Sequence, residues 1–172
     1  MKLNPATEKF ILHWGEMGTK WGVNRTVAQI HALLYILGRP INAEEITETL
    51  GVARSNVSNS IKELQNLRLV HTVHILGDRR DHFETSDDVW TLFRTIAEVR
   101  MQREIEPTRQ FLQSLIDSPE FSQENETAKQ RIQQTHDFIS TLTVWANEML
   151  KLSTSTMVKI LKIGAGIQKF FR

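Results

Sequence analysis

The chain has 172 residues, 40% of them hydrophobic and 24% charged, which is typical of a globular protein with one ordinary domain, or a small domain with helical extensions. The absence of cysteine excludes disulfides, thiol catalysis and cysteine zinc sites. The formal net charge of +1 leaves binding to an anionic partner open, because such binding would depend on a local basic patch.

The first predicted helix covers residues 5 to 20. Its apolar residues recur at helical spacing, at Phe10, Ile11, Trp14 and Met17. Gly15, Gly18 and Gly22 are expected to weaken this helix and to end it.

Two further helices are predicted next. Thr26 is placed to cap the first of them, which ends at Gly38. Asn42 is expected to cap the second, AEEITETL, which ends at Gly51.

The segment ARSNVSNSIKELQN, residues 53 to 66, predicts a fourth helix with an unusual beginning. Its apolar positions recur at helical spacing, at Val57, Ile61 and Leu64. Its first two turns are rich in serine and asparagine, whose side chains compete with the helix for backbone hydrogen bonds. Short polar residues in such a place require a reason other than helix propensity.

A two-stranded hairpin is predicted after this helix. LVHTVHIL, residues 69 to 76, is β-branched and apolar, and HFET, residues 82 to 85, forms the return strand. The turn between the strands is the charged segment GDRRD, residues 77 to 81.

The rest of the chain is predicted to be helical. Ser86 opens a long helix, which Pro107 is expected to kink or divide. SPEFSQENET is a polar break, and helices over 126 to 150 and about 155 to 171 follow it. The three helices carry apolar stripes at Trp90, Phe93, Ala97 and Met101, at Phe138, Leu142, Trp145 and Met149, and at Ile160, Ile163, Ile167 and Phe170.

The third and fourth helices form a helix–turn–helix unit, which gives the polar residues a reason. In such units the second helix lies in the DNA major groove with its N-terminal residues at the base edges. Short side chains let the backbone approach DNA closely. Asn56 or Asn59 can pair with adenine, and Arg54 can reach guanine or a phosphate. Phosphate contacts are expected from Ser55, Ser58 and Lys62.

The tip of the hairpin supplies a second expected contact. Arg79 and Arg80 are long cationic side chains that can enter a narrow minor groove. Asp78 and Asp81 would repel phosphate, so we expect them to form ion pairs that aim the arginines.

These segments resemble the MarR-type winged-helix repressors and, among them, the glycine betaine regulator (GbsR-like) branch. The resemblance covers residues 8 to 115 and includes RTVAQIHALLYILGRPINAEEI, ARSNVSNSIKEL, ILGDRRDHFET, DVWTLFRTIAEVR and EIEP. It implies a homodimer that binds a near-palindromic operator and is often released by a small effector. Ala53 stands where many members have a serine N-cap, and Ser55 is an alternative cap.

As a whole, the sequence predicts a mainly α fold with a small β-hairpin wing. Residues 1–23 would form an N-terminal helix of the dimerisation region, and residues 24–86 a winged helix–turn–helix DNA-binding domain. Residues 87–172 would form the C-terminal dimerisation and effector region. The expected function is regulation of transcription, as a repressor. Neither an enzyme nor a cofactor is expected, because we find no phosphate loop, no catalytic triad and no paired carboxylates.

Three tryptophans have two interpretations. Trp14, Trp21 and Trp90 could form an aromatic box for a cationic effector, or they could be core aromatics, which we favour. The histidines predict no metal site, because His71 and His74 fall on opposite faces of a strand.

The last 22 residues carry five basic residues and no acidic one. This segment can pack on a partner chain, which we favour, or lie on an anionic membrane surface. The chain begins without an apolar signal-peptide core, so a cytoplasmic protein that does not enter a membrane is expected. Two other functions stay open at this point: a protein-interaction module built on the helix–turn–helix, and a membrane-surface adaptor.

Overall fold

A computed structural model describes residues 1–166 of the chain. Residues up to Ile96 belong to a first compact unit, and residues from Ala97 onward belong to a second. In the first unit, helices α1 (Pro5–Lys20), α2 (Arg25–Leu37), α3 (Ala43–Leu50) and α4 (Arg54–Asn66) precede the hairpin. Helix α5 (Val89–Arg100) follows it. Within the described part of the chain, no helix combines the length and the apolar character needed to cross a bilayer.

The wing is a three-stranded antiparallel sheet. Its strands are β1 (Ile41–Asn42), β2 (His71–Val73) and β3 (His82–Glu84), in the order β1-β3-β2. The predicted hairpin is thus confirmed as β2 and β3, with shorter strands than expected. The sequence reasoning missed β1, because two residues are too few to show strand periodicity.

The core of the first unit is formed mainly by α2, α3 and α4. The largest fully buried side chains are Ile30, Leu33, Leu34, Ile41, Ile46, Leu64, Val27 and Val57. Burial of each such side chain stabilises the fold by about 1.5–3 kcal/mol. These apolar contacts fix α4 on the body of the unit by one face only.

The helix caps agree with the sequence at α3 and differ at α2 and α4. The Asn42 side chain accepts hydrogen bonds from the backbone N–H groups of Glu44 and Glu45, both at 3.0 Å, as predicted. Helix α2 is capped by Asn24 instead of Thr26, because the Asn24 side chain accepts from the Thr26 N–H at 2.8 Å. At α4 the N-cap is Ala53, without a side-chain hydrogen bond, so the alternative cap at Ser55 is wrong.

Two glycines of α1 lie within the helix and do not end it. A Cβ on Gly18 would stand 2.4 Å from the Cβ of Ala28, and one on Gly15 would stand 2.6 Å from Cγ of Gln29. Glycine at these positions therefore lets α1 approach α2 closely. The chain leaves α1 at Lys20 and turns at Gly22, whose φ of +77° suits glycine.

Helix α5 begins three residues later than the sequence predicts. The Asp88 carboxylate accepts from the N–H groups of Trp90 and Thr91, at 3.2 and 3.0 Å, and thereby satisfies the first turn. Ser86 accepts from the Asp88 N–H at 3.2 Å and lies outside the helix.

The second unit, from Ala97 onward, consists of helices joined by short turns over its described residues. A π-helix (Met101–Ile105) precedes α6 (Glu106–Ile116), and Pro107 stands in the first turn of α6, so the predicted division there is confirmed. The polar break contains a short helix, α7 (Pro119–Gln123), which was not predicted. Helix α8 (Glu126–Lys151) packs against α6, and α9 (Thr154–Gly166) follows. The predicted positions Ile167 and Phe170 lie outside the described residues.

Candidate nucleic-acid interface

Helix α4 has an apolar face and a polar face. Val57, Ile61 and Leu64 are buried and hold the helix on the core, as the sequence predicts. All six predicted DNA-binding residues of this helix are exposed: Arg54, Ser55, Asn56, Ser58, Asn59 and Lys62. The helix therefore displays a continuous polar surface over its first three turns.

The polar groups on this surface are free to bind a ligand. Within residues 1–166, the side chains of these six residues have no hydrogen-bond or ion-pair partner. Ser60, on the opposite side of the same helix, is buried and does not belong to the surface. Unpaired hydrogen-bond donors and acceptors at an exposed helix start can bind base edges or phosphates.

The tip of the wing contains a chelated arginine. Nε of Arg80 donates to both carboxylate oxygens of Asp78, at 3.0 and 3.1 Å, and Nη2 donates to Oδ2 at 2.6 Å. The backbone N–H of Arg80 also donates to Asp78 Oδ1 at 3.0 Å. These bonds hold the pKa of Asp78 well below its usual range and raise the pKa of Arg80, so both groups are charged near neutral pH.

The two arginines of the tip have different surroundings. Arg80 also donates from Nη1 to Glu44 Oε2 at 3.1 Å, whereas Arg79 is exposed and has no such partner among residues 1–166. The expected ion pair between Asp78 and an arginine is present. Asp81 instead lies 4.0 Å from Nδ1 of His74, so its predicted pairing with an arginine is wrong in this structure.

A cleft of about 190 Å³ lies between the wing and the helix–turn–helix unit. Its wall is formed by Asn42, Ala43, Glu44, Arg54, Arg80, Asp81 and Phe83. The first residue of α4 and the chelated arginine of the wing thus face the same small space. The wing and the polar surface of α4 are neighbours on one side of the first unit.

A buried histidine behind the wing was not singled out by the sequence reasoning. His31 of α2 is buried, and its Nε2 lies 3.2 Å from the Thr85 hydroxyl. That hydroxyl donates to the Leu69 carbonyl at 2.7 Å, so it accepts from an Nε2–H of neutral histidine. Burial lowers the pKa of His31 to about 4. In the sequence, its position between the apolar residues Ile30, Ala32 and Leu33 was the signal that His31 is buried.

The tryptophans are more exposed than a core position allows. Trp14 retains 36% and Trp21 53% of its accessible surface, and their ring centroids are 6.2 Å apart in an edge contact. Trp90 has its ring contact with Phe93, at 6.4 Å. The core interpretation is therefore wrong for Trp14 and Trp21 in the single chain, and an effector box stays a prediction.

The three histidines of the wing each lie near a carboxylate, and Nε2 of the buried His82 is 3.6 Å from Asp78 Oδ2. His71 Nε2 lies 2.8 Å from Glu84 Oε1, and His74 faces Asp81. In the described part of the chain, no group of three or more histidine, aspartate or glutamate side chains could hold a metal ion.

Comparison with known proteins gives a consistent family relationship for the helix–turn–helix part. Residues 21–81, from the approach to α2 to the tip of the wing, match the model of the MarR family. "Putative HTH-type transcriptional regulator YvaV" of Bacillus subtilis (strain 168) is 23% identical over 94 residues, which are 55% of this chain and 53% of that protein. "HTH-type transcriptional repressor OpcR" of the same organism is 23% identical over 88 residues, 51% of this chain and 48% of that protein. The chain spans about half the length of these curated relatives.

A solved structure extends the likeness of fold beyond the matched residues. "Crystal Structure of a transcriptional regulator" has a TM-score of 0.64 and 13% identity to this chain, and the alignment covers 85% of this chain and 96% of that one. At this identity the likeness concerns the fold alone, which is mainly helical with a small antiparallel sheet. The similarity to the MarR family model is confined to residues 21–81, the segment that contains the helix–turn–helix unit and most of the wing.

Proposed function

We propose that this chain is a sequence-specific DNA-binding regulator of transcription in which α4 lies in the major groove. The observation that carries the proposal is the polar surface of α4, whose side chains are exposed and unpaired while the opposite face is buried. A helix fixed by one apolar face and offering asparagine, serine and arginine at its start has the chemistry of base and phosphate recognition. The regulator names of the relatives support the same function.

The proposal includes a homodimer, with residues 1–23 and 87–172 as the dimerisation regions and residues 24–86 as the DNA-binding domain. Helix α8 supports it, because Phe138 and Trp145 keep 66% and 60% of their accessible surface in the single chain. Large apolar side chains grouped on one exposed helix face are typical of interaction surfaces. Two copies related by a two-fold axis would place their α4 helices at half-sites about 34 Å apart.

The proposal also includes a repressor role, control by a small effector and membership of the glycine betaine regulator branch. One relative is named as a repressor, and Trp14 and Trp21 are exposed neighbours of the aromatic type that binds cationic ligands. Such a ligand would release DNA only if it bound the DNA-free arrangement better than the DNA-bound one.

Fluorescence anisotropy of a labelled duplex tests the proposal. The duplex carries the region upstream of this protein's own gene, with a scrambled duplex of equal composition as the control, at several salt concentrations. We expect tighter binding to the native duplex and an affinity that falls steeply with salt, because phosphate contacts release counterions. Sedimentation of the free protein should give twice the mass of one chain.

Three outcomes would contradict the proposal. Failure to bind either duplex at low salt would favour a protein-interaction module built on the helix–turn–helix. Equal, weak binding to the native and the scrambled duplex would remove sequence specificity. Binding to anionic vesicles that is lost on deletion of residues 153–172 would favour the membrane-surface adaptor.

A further inference from the structure

The wing is attached to the helix–turn–helix unit at two levels. At its base, β3 pairs with β1, with Phe83 opposite Ile41 and His82 opposite Asn42. At its tip, Nη1 of Arg80 donates to Glu44 Oε2 at 3.1 Å. Glu44 is the second residue of α3, directly after the strand to which the wing is paired.

The hydrogen bonds of Arg80 leave it poorly suited to a phosphate. Asp78 takes bonds from Nε and Nη2, and Glu44 takes one from Nη1. One guanidinium between two carboxylates gives the three side chains a net charge of about −1 near neutral pH. The two carboxylates take three of the five guanidinium N–H groups of Arg80, and their excess negative charge repels a phosphate, whereas the exposed Arg79 next to it offers its whole charge.

The ion pair also relates the wing to the start of α4. Glu44, Arg80 and Arg54 line the same cleft, and Arg54 is the first residue of α4. Helix α3 packs against α4, so a wing tip held on α3 keeps a fixed distance from the polar surface of α4. A fixed distance allows the wing and α4 to contact neighbouring grooves of one duplex without ordering the wing at the moment of binding.

We infer that Glu44 and Arg80 are positioning residues, whose ion pair holds the tip of the wing against α3 so that Arg79 meets the DNA. This inference rests on the proposed function, and it assigns the direct contact to one of the two tip arginines. Arg80 then acts on DNA affinity through the place that it gives Arg79.

Removal of the Glu44 charge separates this inference from direct contact by Arg80. If Arg80 bound phosphate itself, Glu44→Gln would free it and remove a repulsive carboxylate, so affinity for DNA would rise. If the ion pair positions the wing, affinity falls, by about two- to fivefold for an exposed pair of this kind. The matched control is Glu48→Gln, which removes an exposed carboxylate of α3 that has no such partner within residues 1–166. This control should leave affinity unchanged or raise it.

A double-mutant cycle on the two arginines gives a second test. We expect Arg80→Ala to weaken binding in the unmodified chain and to have little further effect once Arg79→Ala is present, because the residue that it places is gone. Fully additive losses would identify Arg80 as an independent DNA contact and would overturn the inference.

Nuclear magnetic relaxation of the backbone amides of residues 77–81 tests the ion pair without DNA. The order parameters of these amides should fall in Glu44→Gln and stay unchanged in Glu48→Gln. Unchanged order parameters in both variants would overturn the inference, whatever the DNA affinity. If the unmodified chain bound no duplex while the wing loosened in Glu44→Gln, the proposed function would fail and the role of the ion pair in holding the wing would stand.

Discussion

At the scale of single residues, the same residue type serves different purposes a few positions apart. Arg79 is exposed and unpaired within the described residues, whereas Arg80 is chelated by Asp78 and Glu44. Asn42 caps a helix, whereas Asn56 is exposed on the polar surface of α4. Residue type alone could suggest an arginine-tipped wing, but only the three-dimensional positions of the carboxylates separate the two arginines.

The contact proposed for Arg79 can be measured through salt. Arg79→Ala should weaken binding to native and scrambled duplexes alike, because a minor-groove or phosphate contact at the tip carries little sequence information. The slope of log affinity against log salt concentration should decrease by about one unit. Anisotropy titrations at four or more salt concentrations give the slope. A slope equal to that of the unmodified chain would remove the wing from the interface.

His31 makes stability depend on pH. Its pKa in the folded state is about 4, below the ordinary value of 6.5, so the unfolded chain binds more protons between these two values. The contribution of neutral His31 is fully present above pH 6.5 and is lost as the pH falls towards 4. We expect this one group to lower the free energy of unfolding by about 3 kcal/mol across that window.

The pH dependence is checked by urea unfolding of the chain and of His31→Gln between pH 4.5 and 7.5. The glutamine amide can donate to the Thr85 hydroxyl and does not titrate, so the variant should lose less stability at low pH. An identical loss in both proteins would show that His31 is not the group responsible.

At the scale of elements, most helices of the first unit could be predicted, because apolar spacing and caps act locally. The ends at Gly38 and Gly51 follow from the left-handed conformation that glycine readily adopts. The strand β1 and the start of α5 could not be located from the sequence, because pairing with β3 determines the first and the Asp88 cap determines the second. Gly15 and Gly18 were misread, because a close helix contact looks like a helix breaker in sequence.

The close contact of α1 with α2 predicts an unusual response to alanine. Alanine normally stabilises a helix interior relative to glycine. At Gly18 the added Cβ would stand 2.4 Å from the Cβ of Ala28, so Gly18→Ala should destabilise the fold by about 1–3 kcal/mol. Gly164 of α9 is the matched control, because an added Cβ there meets nothing within 4 Å.

Thermal or urea unfolding measures both glycine variants. Gly164→Ala should be neutral or stabilising by about 0.5–1 kcal/mol. If Gly18→Ala were as stable as Gly164→Ala, α1 would have to pack less tightly on α2 than the structure describes.

At the scale of the whole molecule, the polar surface of α4 and the exposed apolar face of α8 correspond to two kinds of interaction. The first has unpaired polar groups without large apolar side chains, which suits a hydrated, charged partner such as DNA. The second has Phe138, Leu142 and Trp145 in contact with solvent in the single chain, which suits a second copy. The sequence predicted both surfaces from periodicity, but periodicity does not say which partner covers an apolar face.

The central claim is that the start of α4 reads base sequence, and the most direct test is the ratio of native-to-scrambled affinity in Asn56→Ala. We expect the preference for the native duplex to fall by about 1–3 kcal/mol, with non-specific binding nearly intact. Asn66→Ala, at the far end of the same helix, should keep the preference. An equal loss of affinity on both duplexes, or an unchanged preference, would contradict base reading by this helix.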